Sequence, residues 1–207
     1  ISKAVQERIK KYYGRESKII YPPVDVDCFG TTSLRSDVVS NGRYFLVVSR
    51  LVPYKRADLA VKAFNQLKLP LVIVGTGSEE MRLKKMAKDN IKFVGQLTDS
   101  ELAGYYKRCT ALVMPQEEDF GLAALEAQSF GKPVIAYNAG GAREIVIPDK
   151  TGIFFSKQSA KSLINAIKKF KRTKFESNII RKNVSRFSKE RFKKEFSDFV
   201  RKNFGKL

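Results

Sequence analysis

The sequence predicts an α/β fold with a doubly wound parallel sheet, in which helices cover both faces of the sheet. Two observations support this prediction. Short apolar runs recur along the chain, as in strands that are buried on both faces. Segments with helical periodicity separate these runs, and regular alternation of strand and helix is typical of a parallel sheet with crossover helices.

The apolar runs define the predicted strands. In chain order they are KIIYPP (18–23), YFLVVSR (44–50), LPLVIVGTG (69–77), IKFVG (91–95), ALVMP (111–115), PVIAY (133–137) and TGIFF (151–155).

The segments between these runs have the spacing of amphipathic helices. They are ISKAVQERIKKYYG (1–14), RADLAVKAFNQL (56–67), SEEMRLKKMA (78–87), TDSELAGYYKRC (98–109) and GLAALEAQSFG (121–131). In the second of them, Leu59, Ala63 and Phe64 share one side, and Thr98 or Asp99 is placed to cap the helix that carries Glu101.

From about residue 157 the chain becomes a basic helical tail within one domain that spans residues 1–207. Phe192, Phe196 and Phe199 recur at helical spacing and form an apolar stripe. The stripe is expected to pack on its own domain, and a helix that binds a membrane surface or a calmodulin-like partner is the alternative.

The charge balance limits the classes of partner. The chain has 40 Lys and Arg residues against 21 Asp and Glu residues, a formal net charge of +19, which favours phosphates, nucleic acid or an anionic membrane surface. It has no His, so the commonest general base and metal ligand is missing. Cys28 and Cys109 support neither a disulfide framework nor a zinc site, and a reducing, cytoplasmic setting is expected.

Two loops that follow predicted strands carry charged residues suited to a phosphorylated sugar. After the 44–50 strand, Arg50 can bind two phosphate oxygens and Lys55 adds a mobile positive charge, although solvated surface cations have the same pattern. After the 111–115 strand, Glu118 can accept hydrogen bonds from sugar hydroxyls, and Gly121 begins a helix whose first amides are free to bind a phosphate. Glu126 lies about one turn inside that helix, where the helix dipole does not explain it.

Two glycine motifs follow neighbouring strands and are less specific. Gly75 and Gly77 form a G-x-G that does not reach the dinucleotide fingerprint, so a plain strand-to-helix turn explains it equally well. Gly140 and Gly141 precede a short helix with Glu144, and glycine pairs of this kind are common turns.

Taken in order, these segments resemble the retaining nucleotide-sugar glycosyltransferases of family 4, whose GT-B fold has two Rossmann-like domains. The pattern E-x7-E, here Glu118 and Glu126, is that family's signature, and the resemblance covers most of the chain. The matching segments are SKAVQERIKKYYG, IIYPPVDVDCF, SRLVPYKRADLAVKAF, IVGTGSE, FVGQLTDSEL, EEDFGLAALEAQSFGKPVIAYNAGGAREIV and TGIFF.

The resemblance implies a role for three charged side chains in catalysis. Arg50 and Lys55 would hold the donor diphosphate and stabilise the leaving nucleotide, and Glu118 would contact the hydroxyls of the transferred sugar. No metal or other cofactor is implied, because cationic side chains and helix amides take the place of magnesium. Arg56 stands where many members of the family have glycine, and it either adds positive charge for a phosphate or only alters the loop.

The resemblance also assigns residues that bind the donor. The amides near Phe120, Gly121 and Leu122 would meet its phosphates and sugar, Glu126 its ribose, and the backbone at Leu97 its base. The resemblance implies GDP-mannose as the first choice of donor, because the EEDFG and SRLVPYKR segments look most like those of mannosyltransferases, and a UDP-sugar is the alternative.

The resemblance places the whole chain in the donor-binding half of such an enzyme. The N-terminal acceptor-binding domain is expected to be absent, so the chain alone should bind donor and transfer little. The acceptor would be a glycan or a lipid-linked glycan in polysaccharide assembly, with peripheral contact at the inner face of the membrane. A basic module that binds nucleic acid or a membrane surface without transferase activity is the alternative.

Overall fold

The computed structural model describes residues 1–24 and 43–205, which form helices around one parallel sheet. The six strands of this part are Phe45–Val48 (β1), Leu71–Val74 (β2), Ile91–Gly95 (β3), Ala111–Met114 (β4), Val134–Tyr137 (β5) and Gly152–Phe155 (β6). Its α-helices are Lys3–Tyr13 (α1), Ala57–Leu67 (α2), Glu80–Met86 (α3), Asp99–Arg108 (α4), Leu122–Ser129 (α5), Ala142–Ile145 (α6), Ala160–Arg172 (α7), Ser177–Val184 (α8) and Lys189–Phe204 (α9).

The strands lie in the order β3-β2-β1-β4-β5-β6, and all neighbours are parallel. Phe45 of β1 is in register with Leu71 of β2 on one side and with Ala111 of β4 on the other. This is the strand order of doubly wound nucleotide-binding sheets. The predicted fold class is therefore confirmed.

Each strand is apolar along its whole length because both faces of the sheet are covered. Leu46 of β1 packs in a buried cluster with residues of α4 and α5. Phe45 and Val47, which alternate with Leu46, pack on the opposite face in a second cluster formed with α2 and α7. The near-continuous hydrophobic runs that predicted the strands are thus a direct consequence of two-sided burial.

The predicted strand at residues 18–23 is wrong. This segment joins no strand of the sheet, and the reason is its prolines: Pro22 and Pro23 lack the N–H groups that a ladder requires. The segment instead packs through Tyr21, whose ring lies 5.9 Å from that of Phe120 and 5.6 Å from that of Phe187. Its apolar residues bury surface without adding a strand.

Local signals place two helix starts as predicted. Thr98 caps α4, since its hydroxyl accepts from the amide of Glu101 while the Glu101 carboxylate accepts from the amide of Thr98. Ala57 begins α2 as expected, and Leu59 and Phe64 on its inner side are buried. A reciprocal capping box of this kind satisfies two amides that a helix start leaves open.

The basic tail is helical, as predicted, and its contact with the domain weakens toward the C-terminus. Helix α7 buries Leu163 and Phe170 against the sheet, whereas no residue of α9 is buried. Helix α9 touches the domain through Arg191, which donates to the carbonyl of Tyr21 at 2.6 Å. Of the apolar stripe, Phe196 remains 50% exposed. Within the described residues, no helix combines the length and apolar character needed to cross a bilayer.

Candidate functional site

The loops that carry Arg50, Lys55 and Glu118 lie where the chain direction across the sheet reverses. Strands β1 and β4 are neighbours, yet the chain leaves β1 toward β2 and leaves β4 toward β5. Such a reversal leaves a crevice between the loops that follow the two strands. In open parallel sheets, ligands bind in this crevice, beyond the carboxyl ends of the strands. The loop 49–56 follows β1 and the loop 115–121 follows β4, so both predicted loops border the crevice.

Three side chains from these two loops form a compact polar cluster. The Lys55 ammonium donates to Oε1 of Glu118 at 2.6 Å, and Nε2 of Gln116 donates to the same oxygen at 2.7 Å. The side chains of Lys55 and Glu118 are only 14% and 21% exposed. A carboxylate that accepts from two donors and is largely shielded from solvent has a defined position and orientation before any ligand binds.

The third predicted catalytic residue reaches the cluster through a tyrosine. Nη2 of Arg50 donates to the hydroxyl of Tyr54 at 2.7 Å, and the ring of Tyr54 lies 5.2 Å from the Lys55 ammonium. The structure therefore brings Lys55 and Glu118 into direct contact, whereas Arg50 is an exposed neighbour. An exposed arginine on a loop can move its planar guanidinium toward an entering anion.

The glycine motifs prove to be supports for these two loops. A Cβ built on Gly75 would lie 2.0 Å from the carbonyl oxygen of Ser49, and one built on Gly140 would lie 2.1 Å from that of Glu118. The amide of Gly141 also donates to the Glu118 carbonyl at 2.8 Å. The turns after β2 and β5 thus pack their bare backbone against the loops that carry Arg50 and Glu118, and any side chain there would displace them.

The start of α5 offers backbone amides beside this cluster. Gly121 caps the helix with φ of 102°, a conformation that favours glycine, and no side chain caps the first amides. Phe120 is buried between Tyr21 and Phe187, whereas Leu122 is 46% exposed. The open amides and the helix dipole make this end of α5 suitable for an anion.

Glu126 lies on α5 and faces α4 rather than solvent. Its Oε2 accepts from the hydroxyl of Tyr106 at 2.7 Å, and the ring of Tyr106 stacks on that of Phe130. Burial raises the pKa of Glu126 above its ordinary value, while the hydrogen bond from Tyr106 acts in the opposite direction. A carboxylate kept in such a place needs hydroxyl donors as partners, and Tyr106 supplies one of them.

Leu97 follows β3 and is half-buried against the cluster that contains α4 and α5. In the strand order β3 is separated from β4 by β2 and β1, so Leu97 lies along the same edge of the sheet and apart from Glu118.

The unusual Arg56 has a structural explanation. It adopts the left-handed conformation with φ of 53°, which glycine adopts at little cost. Its Nε donates to Oδ1 of Asp58 at 3.2 Å, which fastens the side chain to the first turn of α2. Arg56 therefore turns toward α2, and the interpretation that it only alters the loop fits this contact.

The N-terminal segment engages the remaining acids near the site. Arg8 of α1 forms an ion pair with Asp119, and Glu144 of α6 accepts from the hydroxyl of Tyr21 at 2.7 Å and from the amide of Lys3 at 2.9 Å. Burial and this hydrogen bond raise the pKa of Tyr21 to about 12. Asp119 and Glu144 thus attach α1 and the segment after it to the sheet.

Sequence reasoning missed three residues of the site: Tyr54, Tyr106 and Gln116. Gln116 is 3% exposed, and its Oε1 is buried without a hydrogen-bond partner among the described residues. Its position directly after the predicted 111–115 strand and two residues before Glu118 was a usable signal, because ligands bind beyond the carboxyl ends of parallel strands. Tyr106 gave none, since its contact with Glu126 depends on how α4 and α5 pack.

No group of three or more His, Cys, Asp or Glu residues that could hold a metal ion occurs in the described ranges 1–24 and 43–205. Cys109 is buried, and burial raises the pKa of its thiol to about 12. The other cysteine, Cys28, lies outside the described residues.

Comparison with known proteins identifies relatives along most of the chain. The family model for glycosyl transferases group 1 matches residues 33–191. The GDP-mannose-dependent alpha-(1-6)-phosphatidylinositol monomannoside mannosyltransferase of Mycobacterium tuberculosis is 30% identical over 196 residues, which are 81% of this chain and 50% of that protein. The O-antigen chain mannosyltransferase C of Escherichia coli is 26% identical over 203 residues, or 91% of this chain and 54% of that protein.

Solved structures share the fold. A glycosyltransferase from Rickettsia africae superposes with a TM-score of 0.84 at 22% identity over 98% of this chain and 62% of its own. HepE of Anabaena, in complex with UDP and glucose, superposes with a TM-score of 0.80 at 23% identity over 96% of this chain and 61% of its own. The chain spans about half the length of the curated relatives it matches. With its Rossmann-like sheet of the GT-B type, the chain belongs to the glycosyl transferases group 1 family.

Proposed function

We propose that this chain is the donor-binding domain of a retaining hexosyltransferase that uses a nucleotide sugar. The observation that carries the proposal is the cluster of Lys55, Glu118 and Gln116 beside the uncapped start of α5. A nucleotide sugar presents two negatively charged phosphates next to a ring of hydroxyls. The crevice offers cations and open amides that can bind the phosphates, and a fixed carboxylate that can accept hydrogen bonds from the sugar hydroxyls.

In this proposal the cations act on the bond that breaks. When the bond between the sugar's anomeric carbon and the diphosphate oxygen breaks, negative charge grows on the leaving diphosphate. Arg50 and Lys55 stabilise that charge, and the sugar passes to the oxygen of an acceptor hydroxyl with its configuration retained, while the hydroxyl proton goes to the leaving diphosphate. The Lys55 ammonium has three donors, so it can keep its bond to Glu118 and still bind a phosphate oxygen.

The proposal assigns each part of the donor to a residue or backbone segment near the crevice. Glu118 accepts from hydroxyls of the transferred sugar, and the amides near Phe120, Gly121 and Leu122 bind phosphates. Glu126 accepts from the ribose hydroxyls, and its bond to Tyr106 keeps it oriented between α4 and α5. The backbone at Leu97 meets the base.

The proposed sugar is mannose, carried by GDP. Support comes from the two mannosyltransferases described above, one of which is GDP-mannose-dependent by name. A UDP-sugar is the alternative donor, and the Anabaena neighbour is known with UDP and glucose. No metal or other cofactor is part of the proposal.

Acceptor binding and transfer are proposed to require sequence beyond these 207 residues. The support is that one sheet accounts for the described residues, while the curated relatives are about twice as long. The isolated chain should then bind donor and transfer little, whereas the whole enzyme would glycosylate a glycan or a lipid-linked glycan in the cytoplasm.

A peripheral contact with anionic membrane is proposed alongside transfer, in preference to nucleic-acid binding. Tyr12 and Tyr13 of α1 are 69% and 76% exposed, and Lys10 and Lys11 precede them. Exposed aromatic rings beside cations suit a lipid interface. Failure of the chain to bind vesicles of anionic phospholipid at low salt would exclude this contact.

Isothermal titration with GDP, UDP and ADP tests the donor proposal. One nucleotide should bind saturably, and Arg50→Ala and Glu126→Gln should each weaken it at least tenfold, which corresponds to about 1.4 kcal/mol. Arg143→Ala and Glu117→Gln are matched controls on exposed positions and should bind as the wild type does. Equal affinity in the wild type and all four variants would refute the assignment of Arg50 and Glu126 to donor binding. Tighter binding of UDP-glucose than of GDP-mannose would refute mannose as the proposed sugar.

A further inference from the structure

A second cavity lies at the opposite edge of the sheet, before the strands begin. It has a volume of about 290 Å³ and is bounded by residues that precede β1, β4 and β5 and by the junction between α7 and α8. The loops proposed to bind donor follow the carboxyl ends of the strands, so the two sites are separate. We propose that this cavity binds a phosphate group.

The first argument is the charge of its walls. Arg43, Arg108 and Lys132 line the cavity, and no Asp or Glu is among the lining residues that the structure describes. Cations elsewhere on this basic chain often have acidic partners, as Lys62 does in Asp58 and Lys169 in Asp149. None of the three lining cations forms an ion pair with a carboxylate of residues 1–24 or 43–205. Convergent, uncompensated cations repel one another until an anion joins them.

The second argument is an unsatisfied donor. Nε of Arg108 is buried and has no hydrogen-bond partner in the described part of the chain. A buried donor of a charged group that lacks a partner is destabilising, and such groups commonly mark the position of an ion or water. A phosphate in the cavity would supply acceptor oxygens to the guanidinium, which matches phosphate geometry with two donors at once.

The third argument concerns the remaining walls. Thr110 contributes a hydroxyl that can donate to a phosphate oxygen, whereas the Ser177 hydroxyl donates to the carbonyl of Gly131 at 3.3 Å. Cys109 also lines the cavity, and because burial raises the pKa of its thiol to about 12, it adds no negative charge there. Phe170 and Phe175, whose rings stack at 5.3 Å, form an apolar wall. The cavity therefore offers a polar end for a phosphate and an apolar side for the group esterified to it.

Gly131 shapes this cavity by close approach. It adopts φ of 69°, and a Cβ built on it would lie 2.8 Å from the Cβ of Ser177 and 3.2 Å from the Cζ of Arg181. The turn between α5 and β5 is thereby held against the start of α8, and Gly131 and Ser177 meet at the wall of the cavity. The backbone of the fold thus sets this wall, while Arg43 reaches the cavity from an exposed position.

Phosphate titration of the 15N-labelled chain, followed by NMR at constant ionic strength, tests the proposal. Inorganic phosphate should shift the amide signals of Thr110 and Lys132 saturably, while the signals of Gly121 and Leu122 report separately on the donor crevice. Arg108→Gln and Lys132→Gln should each weaken binding at least tenfold at this site. Lys85→Gln, a change at an exposed position on α3, is the control and should bind as the wild type does.

Non-saturating shifts, or equal affinity in the wild type and both cavity variants, would overturn the proposal. Unfolding of each variant in urea shows whether it is folded, and if one variant fails to fold, the other carries the test. Glycerol 3-phosphate and dihexanoyl phosphatidic acid distinguish the source of the phosphate: tighter binding of the first indicates a soluble ester, and of the second a lipid headgroup. Because the cavity signals are read apart from those of Gly121, a failure of the donor proposal leaves this result unaffected.

Discussion

Replacing Gly140 by alanine should damage the candidate site without touching any of its side chains. A Cβ at Gly140 would lie 2.1 Å from the carbonyl oxygen of Glu118, and 3.1 Å from the Glu117 side chain. Ordinary contact needs about 3.4 Å, so the backbone of Glu118 or the turn must retreat by more than 1 Å. Such a shift moves the carboxylate that Lys55 and Gln116 hold.

The loss of unfolding free energy in Gly140→Ala has two parts, backbone strain and overpacking, and a control variant can separate them. Gly140 has φ of 57°, and alanine in the left-handed region costs about 1–2 kcal/mol. Part of this is offset by roughly 0.4–1 kcal/mol from the stiffer unfolded chain. Overpacking against the backbone adds about 1–3 kcal/mol. Gly14 has nearly the same φ, 63°, but nothing lies within 4 Å of its Cβ position. Gly14→Ala therefore has the backbone strain without the overpacking.

Urea unfolding should therefore show Gly140→Ala to be less stable than Gly14→Ala by about 1–3 kcal/mol. Isothermal titration should show a loss of nucleotide affinity of tenfold or more for Gly140→Ala and none for Gly14→Ala, because a displacement of about 1 Å disrupts a preorganised site. If the two variants lose equal stability and bind nucleotide equally well, the turn after β5 does not position Glu118.

Four further substitutions probe the candidate site and the helices beside it. Because burial raises the folded-state pKa of Glu126 above 4.5, its contribution to stability is complete below that pH and is lost as pH rises through the raised pKa. Glu126→Gln should remove this loss in urea unfolding measured from pH 4 to pH 8, and Tyr106→Phe should enlarge it, since the hydrogen bond from Tyr106 lowers the pKa. Thr98→Ala should cost about 1 kcal/mol of unfolding free energy through loss of the helix cap. Gln116→Leu should weaken binding of the nucleotide sugar more than that of the free nucleotide in calorimetry, because it removes a donor that orients Glu118.

Each of these predictions has a result that contradicts it. Parallel pH profiles for the wild type and Glu126→Gln would mean that Glu126 titrates normally. A Thr98→Ala protein as stable as the wild type would show that the amides of α4 find other partners. Equal losses for nucleotide sugar and nucleotide in Gln116→Leu would separate Gln116 from sugar binding.

Periodicity was sufficient to predict the fold because burial on both faces makes each strand a continuous apolar run. The run at 18–23 has the same composition, and only its two prolines distinguish it from a strand, so the rule failed where backbone donors were missing. Lys55 and Glu118 could be placed together because each follows a strand at the same sheet edge, and parallel strands end side by side.

Packing between elements accounts for what the sequence could not reveal. The partner of Glu126 depends on the angle at which α4 meets α5, and a single sequence does not encode that angle in any local pattern. The role of Gly140 likewise depends on the loop after β4 passing within contact of it. The roles of Glu126 and Gly140 in donor binding stay predictions that the calorimetric titrations test.

The pairing of β1 with β4 has a consequence for how the crevice comes into existence during folding. Phe45 lies opposite Ala111, which is 66 residues later in the chain. Closing a loop of that length costs roughly 4 kcal/mol of chain entropy by the logarithmic law, and the pairing recovers this only when both strands are buried. The two loops of the crevice therefore meet late, as part of the global transition, and a half-folded chain has no preformed crevice. Recovery of nucleotide binding during refolding should consequently follow the recovery of the whole sheet with one rate constant.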